Sequence, residues 1–261
     1  LVPDAPESWA DVLEISEELA ADDITGIAFQ NGFFHSAGFL FSLGGALMDE
    51  EGNAAFAPDT DGRTMMEAYL EFHQMMYELG QDPDSGVIIS GESPYPAFQT
   101  GEVGMVYDGI WNLAQFEQDL GDDLGVSLMP ALDNGEVPAL FAQSVGFYAN
   151  ANLADDAAKQ EAFVKWAKFV TGLEGQAIAV EQAGHMPVNP AVEVDSAHLQ
   201  TFAEQFTYGT PFPNREELGA FWGPMGDAIA AVSEGGEAPT DAAAAAYDLI
   251  QASIDEIHAR E

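Results

Sequence analysis

Short apolar runs alternate with long stretches of helical periodicity, and that alternation limits the possible folds more than any other feature of the chain. ITGIAFQ (24–30) and VGMVYD (103–108) read as strands, and so do LGVSLMP (124–130) and SVGFYANAN (144–152). Helical patterns fall at 6–23, 34–48, 61–80, about 110–119, 155–171, 174–183, 196–206, 218–234 and 239–259. Ser8, with Asp11 three residues on, caps the first helix, whose Trp9, Val12, Leu13 and Leu19 face inward. The helix at 61–80 stops at Gly80, the one at 34–48 ends at Gly44-Gly45, and the alanines at 242–246 strengthen the last helix. Strands interleaved with long helices predict an α/β protein with a largely parallel sheet.

The 261 residues suffice for two modest domains or one large one. Apolar residues make up 47% of the chain, which marks a globular protein. Forty-five acids face six bases, for a formal charge of −39. They are spread throughout, as in DEEGN (49–53), DLGDD (119–123) and LADDAAKQE (153–161), whereas an acidic tail would form one block. This pattern predicts adaptation to molar salt, where the Debye length is about 3 Å. At low salt, self-repulsion is expected to loosen the fold. An acidic protein of ordinary salt is the alternative. Nucleic acid and anionic membrane surfaces are excluded as partners, since both require basic patches.

Without cysteine there is no disulfide, thiolate ligand or cysteine nucleophile. No apolar run nears the roughly 20 residues of a membrane span. The start lacks a charged region followed by an apolar one, and the first residue is Leu1, so a mature, processed or truncated product is expected. Neither a metal nor a cofactor is expected. The histidines at 35, 73, 185, 198 and 258 are scattered, and Glu71/His73 and His73/Glu78 read as a solvated helix face. DTDGR (59–63) reads as a turn and not a calcium loop. No nucleophile elbow or nucleotide fingerprint occurs, and 45 acids make carboxylate pairs uninformative, so catalysis is not expected.

Asp108-Gly109-Ile110-Trp111 directly follows a strand, and open α/β sheets bind ligands beyond the carboxyl ends of their strands. Gly109 permits a tight turn, and Trp111 would open the next helix. An indole face suits the apolar face of a sugar ring, and acid or amide side chains suit its hydroxyls. Helix-packing core is the other reading of Trp111. Phe221 and Trp222 point roughly 100° apart on a helix, so one can be core while the other is exposed.

Four stretches occur in a telling order: LVPDAPESWADVLEISEEL (1–19), AFQTGEVGMVYDGIW (97–111), GHMPVNPAV (184–192) and PNREELGAFWGPMGDAI (213–229). Together they resemble the C-terminal two-thirds of the extracellular sugar-binding proteins of bacterial and archaeal ABC importers, the maltose-binding-protein-like group. The resemblance implies an α/β, periplasmic-binding-protein-like type II fold of two lobes, with mostly the second lobe present. Residues 1–140 would be the first part of the second lobe, 141–206 a return to the first lobe, and 207–261 the C-terminal helices of the second. The rest of the first lobe, about 100 residues by ordinary domain size, would lie upstream, leaving strand edges of 141–206 unpaired.

The implied activity is non-enzymatic: capture of a mono- or oligosaccharide and delivery to a membrane permease. The implied setting is the cell surface of an archaeal extreme halophile, with the signal or lipid anchor of a precursor absent from this chain. By match to the family, Trp111 and Trp222 are stacking platforms, Asp108 bonds hydroxyls, and Phe221 and Trp9 are core. In QNGFFHS (30–36) the family's acid falls on Gly32 and its aromatic on Phe34, leaving Asn31 or His35 for the polar contact; His35 also reads as a plain helix N-terminal residue. Tyr95 and Phe212 are further aromatic candidates. Gly104 stands where an Ala is common, and Gly223-Pro224 where a second aromatic often follows, so maltose itself is not assumed. Trp166 reads as core or partner surface, and Lys159, Lys165 and Lys168 as a docking or ion-pair surface. Arg215 reads as a salt bridge to Glu216 or Glu217, or as a clamp for an anionic or polyol solute, the second functional reading. The third is an extracellular carbohydrate-active enzyme.

Overall fold

The computed structural model describes residues 2, 4–90 and 93–260; Leu1 and Pro3 of the first family-like stretch lie outside them. The chain forms two compact units, Leu1–Tyr107 with Leu128–Ala142 and Tyr208–Glu261, and Asp108–Ser127 with Gln143–Thr207. It passes from one to the other four times. Residues 108–127 cluster with 143–207.

The first unit is built on β1 (Thr25–Gln30), β2 (Val87–Ser90) and β3 (Val103–Val106), a parallel sheet in the order β2-β1-β3. Ile27 sits opposite both Val87 and Met105. Central β1 is buried from Gly26 to Gln30, as its unbroken apolar run requires. Helix α1 (Trp9–Ala20) begins with a capping box: the Asp11 amide donates to Ser8 Oγ (3.2 Å), and the Ser8 amide to Asp11 Oδ2 (2.8 Å). Trp9 is core as expected, edge-on to Phe39 at 5.4 Å, Phe72 at 5.5 Å and Phe29 at 6.1 Å.

Helix α1 lies so close to the sheet that a Cβ on Gly26 would stand 2.2 Å from Ser16 Cα. Gly26→Ala is therefore expected to lower stability by about 1–3 kcal/mol through overpacking. Denaturant midpoints in high salt measure this, and an unchanged midpoint would refute the close approach.

Helix α2 (Phe33–Ser42) is shorter than the 34–48 pattern, because Leu43 caps it and Gly44 turns the chain at φ +85°. Helix α3 (Asp61–Leu79) buries Met66, Tyr69, Leu70, His73 and Met76 on one face. The expectation of a solvated His73 is thus corrected: its spacing from Met66, Tyr69 and Leu70 puts it on the core stripe. Thr60 caps α3, so DTDGR is a helix start. After the short α4 (Tyr95–Gln99), Phe141–Ala142 (β4) pairs in parallel with Thr210–Pro211 (β5).

The second unit holds α5 (Leu113–Leu120), α6 (Ala157–Val170), α7 (Leu173–Ala183) and nearly all of α8 (Ala197–Tyr208), with Leu113, Phe116 and Leu199 buried. Two expected strands are absent. Residues 144–152 form no strand, and Val145, Phe147 and Tyr148 are exposed, Tyr148 at 91%. Residues 124–130 form none either; an isolated bridge joins Ser8 to Ala131. Alternation marks a segment able to pair, but a strand also needs a neighbour, and no described strand lies beside these two. Trp166 packs on Phe147 at 4.6 Å and Phe163 at 6.0 Å while staying exposed.

In the first unit, α9 (Trp222–Ser233) and α10 (Pro239–His258) pack on each other and on α3, burying Ile229, Val232, Ile250 and Ile254.

Candidate ligand-binding site

A reciprocal latch ties the carboxyl ends of β1 and β3. Gln30 Nε2 donates to the Tyr107 carbonyl at 2.7 Å, and the Tyr107 hydroxyl donates to the Gln30 carbonyl. Both side chains are buried. Burial, and then Tyr69, push the Tyr107 hydroxyl well above the usual tyrosine range, which keeps it a donor. Below the latch, Tyr69 Oη and Ser36 Oγ share a 2.6 Å hydrogen bond, and burial raises Tyr69 as well. The latch fixes the strand ends from which Asn31 and Asp108 continue the chain.

Beyond β1, three of the expected aromatics come together. Trp222 stacks on Phe212 with centroids 6.1 Å apart and an interplanar angle of 21°, and Phe34 lies 6.5 Å from Trp222. Phe141, which sequence reasoning missed, sits among them: stacked on Phe34 at 6.0 Å, edge-on to Phe212 at 5.0 Å and 6.4 Å from Trp222. Its only local signal is a two-residue strand, too short to read from the sequence. Trp222 is 38% exposed, whereas Phe221 is fully buried. Beside Trp222 and Phe212 opens a hollow of about 420 Å³, also lined by Pro213, Asn214, Arg215 and Leu218. Half-buried Asn31 and His35 flank the start of α2, the His35 ring edge-on to Phe34 at 5.3 Å. Half-buried Tyr95 opens α4.

Arg215 is held by the protein itself. Its Nη2 lies 3.5 Å from Glu217 Oε1, and its Nη1 donates to the Glu50 carbonyl at 3.1 Å. Glu217 also meets His258 Nε2 at 3.2 Å. Its own backbone amide, then the His258 ring, hold the Glu217 carboxyl below the usual range, with Arg215 adding to the effect. Arg215 thus makes the salt bridge to Glu217 that one of its two readings gives it, while its partly exposed side chain also lines the hollow.

The second unit carries Asp108 and Trp111. Trp111 stands in a 3-10 turn, Ile110–Asn112, ahead of α5, and is 49% exposed. Asp108 Oδ1 accepts the Gly109 amide and Asp108 Oδ2 accepts Asn112 Nδ2, each at 2.7 Å. Further along, His198 Nδ1 lies 2.8 Å from Glu117 Oε1. Lys159 pairs with Asp156 and Lys165 with Glu161, both within α6 or at its start. Among the described residues, no cluster of three or more His, Asp or Glu could hold a metal ion, and no helix is long and apolar enough to cross a membrane.

Comparison with known proteins agrees with this architecture. A maltooligosaccharide ABC transporter solute-binding lipoprotein from Streptococcus pneumoniae is 26% identical over 273 aligned positions, covering 97% of this chain. The chain spans 62% of that relative's length. The maltose/maltodextrin-binding domain MalE of Bdellovibrio bacteriovorus, solved with maltotriose, superposes with a TM-score of 0.81 at 22% identity, over 97% of this chain and 68% of that one. MalX of Streptococcus pneumoniae, solved with maltopentaose, gives 0.75 at 21% identity, over 97% and 69%. The fold is thus α/β, periplasmic-binding-protein-like type II. The family of bacterial extracellular solute-binding proteins matches residues 1–207. The chain belongs to that family of extracellular solute-binding proteins.

Proposed function

We propose that this chain is the larger part of the sugar-binding component of an ABC importer, and that its ligand is a maltooligosaccharide. The observation that carries the reading is the exposed Trp222 stacked on Phe212, beside a hollow with Asn214 at its edge. An indole face takes the apolar face of a glucose ring, and amide and carbonyl groups at the rim take its hydroxyls. Trp111 offers a second exposed face on its own unit. The protein's work is capture followed by hand-over to a membrane permease outside the cell, without chemistry. The maltooligosaccharides bound by the relatives add support.

We further assign residues 143–206 to the first lobe, whose remainder belongs to the portion of the relatives that this chain does not span. The exposed apolar side chains of Val145, Tyr148 and Leu173 support that assignment.

Titration with maltotriose in molar KCl, followed by tryptophan fluorescence, tests the function. A saturable change is expected, and Trp222→Ala should weaken it by about 10- to 100-fold, the range of an aromatic hot spot. The same titration is run on a protein extended upstream through the first lobe. No response from either protein would sink the reading.

A further inference from the structure

The carboxylate of Asp108 is built into the backbone that presents Trp111. Its two oxygens bridge the turn, one accepting the Gly109 amide and the other the side-chain amide of Asn112, four residues on, both at 2.7 Å. The span between these bonds is the 3-10 turn that bears Trp111. Gly109 has an ordinary φ of −86°, so its lack of a side chain is not a matter of backbone strain. It is needed because the indole occupies the place of a side chain: a Cβ there would stand 2.1 Å from Trp111 Cη2 and Cζ3 and 2.4 Å from Cε3. One part of the indole is thus seated on bare backbone, while half of the residue's surface stays open.

We infer that Asp108 and Gly109 are positioning residues for Trp111, fixing its indole in one pose before any ligand arrives. Asp108 locks the turn from below, and Gly109 provides the seat. A platform that is already ordered loses less rotamer freedom on binding, which is the general route by which preorganisation improves affinity. The consequence for ligand binding rests on the reading of Trp111 as a stacking platform; the fixed pose does not.

The test therefore separates the two. The full chain is labelled with 5-fluorotryptophan in molar KCl, and the Trp111 fluorine resonance is assigned by its loss in Trp111→Phe. In the ligand-free protein the resonance is expected to be displaced from that of solvent-averaged fluorotryptophan. Asp108→Ala and Gly109→Ala should move it toward the averaged position, with the other three tryptophan resonances unchanged as a check of folding. Asn112→Asp sets two acceptor carboxylates against each other and breaks the pair, and combining it with Asp108→Asn restores a donor–acceptor pair with the polarity reversed. The doubly substituted protein should recover the original resonance, a rescue that a generally destabilising change does not give. Maltotriose affinity should fall about 3- to 10-fold in Asp108→Ala, about one rotamer-rich side chain's worth of ordering, and return in the double variant. A Trp111 resonance that ignores Asp108→Ala, or that the swap fails to restore, overturns the inference. If the resonances follow the expected pattern but maltotriose does not bind, the positioning role stands and the ligand reading fails.

Discussion

Lowering KCl from about 1 M to about 0.01 M is expected to unfold the protein, because over that range the Debye length grows from about 3 Å to about 30 Å. The six bases are Arg63, Lys159, Lys165, Lys168, Arg215 and Arg260. Arg63 is buried and donates to the Phe56 carbonyl. Among the described residues, ion pairs with these bases and with two histidines engage Glu117, Asp156, Glu161, Glu217 and Glu256. Against 45 acids these few pairs leave most carboxylates with water and salt as their only compensation. Self-repulsion then weighs more on the compact state, since the unfolded chain spreads its charges. Circular dichroism at falling KCl should show the helical signal lost below a threshold. Sodium and potassium salts of equal ionic strength should give the same threshold if screening is the cause. The second unit should yield first, because few of its apolar side chains are buried, and the fluorescence of Trp166 would report it. A helical signal indifferent to salt would end the argument.

Replacing His73 by Phe should remove much of the protein's acid sensitivity. The imidazole is buried among Tyr69 at 4.8 Å, Phe29 at 5.6 Å and Phe72 at 6.3 Å, and neither ring nitrogen has a hydrogen-bond partner. Burial pushes its pKa down to about 3. In the folded state it is neutral, while in the unfolded chain it takes a proton below about 6.5. Acid thus favours the unfolded state. The loss begins as pH falls through about 6.5 and accumulates until about 3, to a total of roughly 5 kcal/mol. Protonation of carboxylates in acid relieves repulsion and works the other way, so the wild-type curve alone mixes the two. The difference between wild type and His73→Phe, from denaturant midpoints at fixed high salt between pH 7 and 4, isolates the histidine. Parallel curves would show that the ring is not held neutral.

The helices were legible because their signals are local. The Ser8–Asp11 capping box and the 3.6-residue stripe of α3 need no distant partner, and β1 announces its central place by an apolar run buried on both faces. The missing strands at 124–130 and 144–152 show the limit of such signals: period-two alternation records readiness to pair and carries no information about a neighbour. His73 was misplaced because residue type was weighed above position; between Tyr69, Leu70 and Met76 its spacing alone marks the core face. At the site, Trp222, Phe212 and Phe34 were readable as aromatics at loop and helix boundaries. Phe141 was not, since a two-residue strand has no pattern, and it joins the group through a pairing across nearly 70 residues. Arg215 had two readings, and the salt bridge of one of them depends on the placement of Glu217, which no local pattern records.

The packing of α10 against α3 and α9 has a consequence for biosynthesis. The Ala54 amide is satisfied by Gln251, 197 residues later, and Ile250 and Ile254 are the last apolar side chains to enter the core. At a synthesis rate of about 5–20 residues per second, α3 waits roughly 10–35 s on the ribosome for its final partner. Through that interval its apolar face is open to chaperones. A message cut short anywhere before α10 yields a polypeptide whose first unit does not close, and proteases meet it as an open chain. Synthesis of α10 thereby becomes a condition for closure of the first unit.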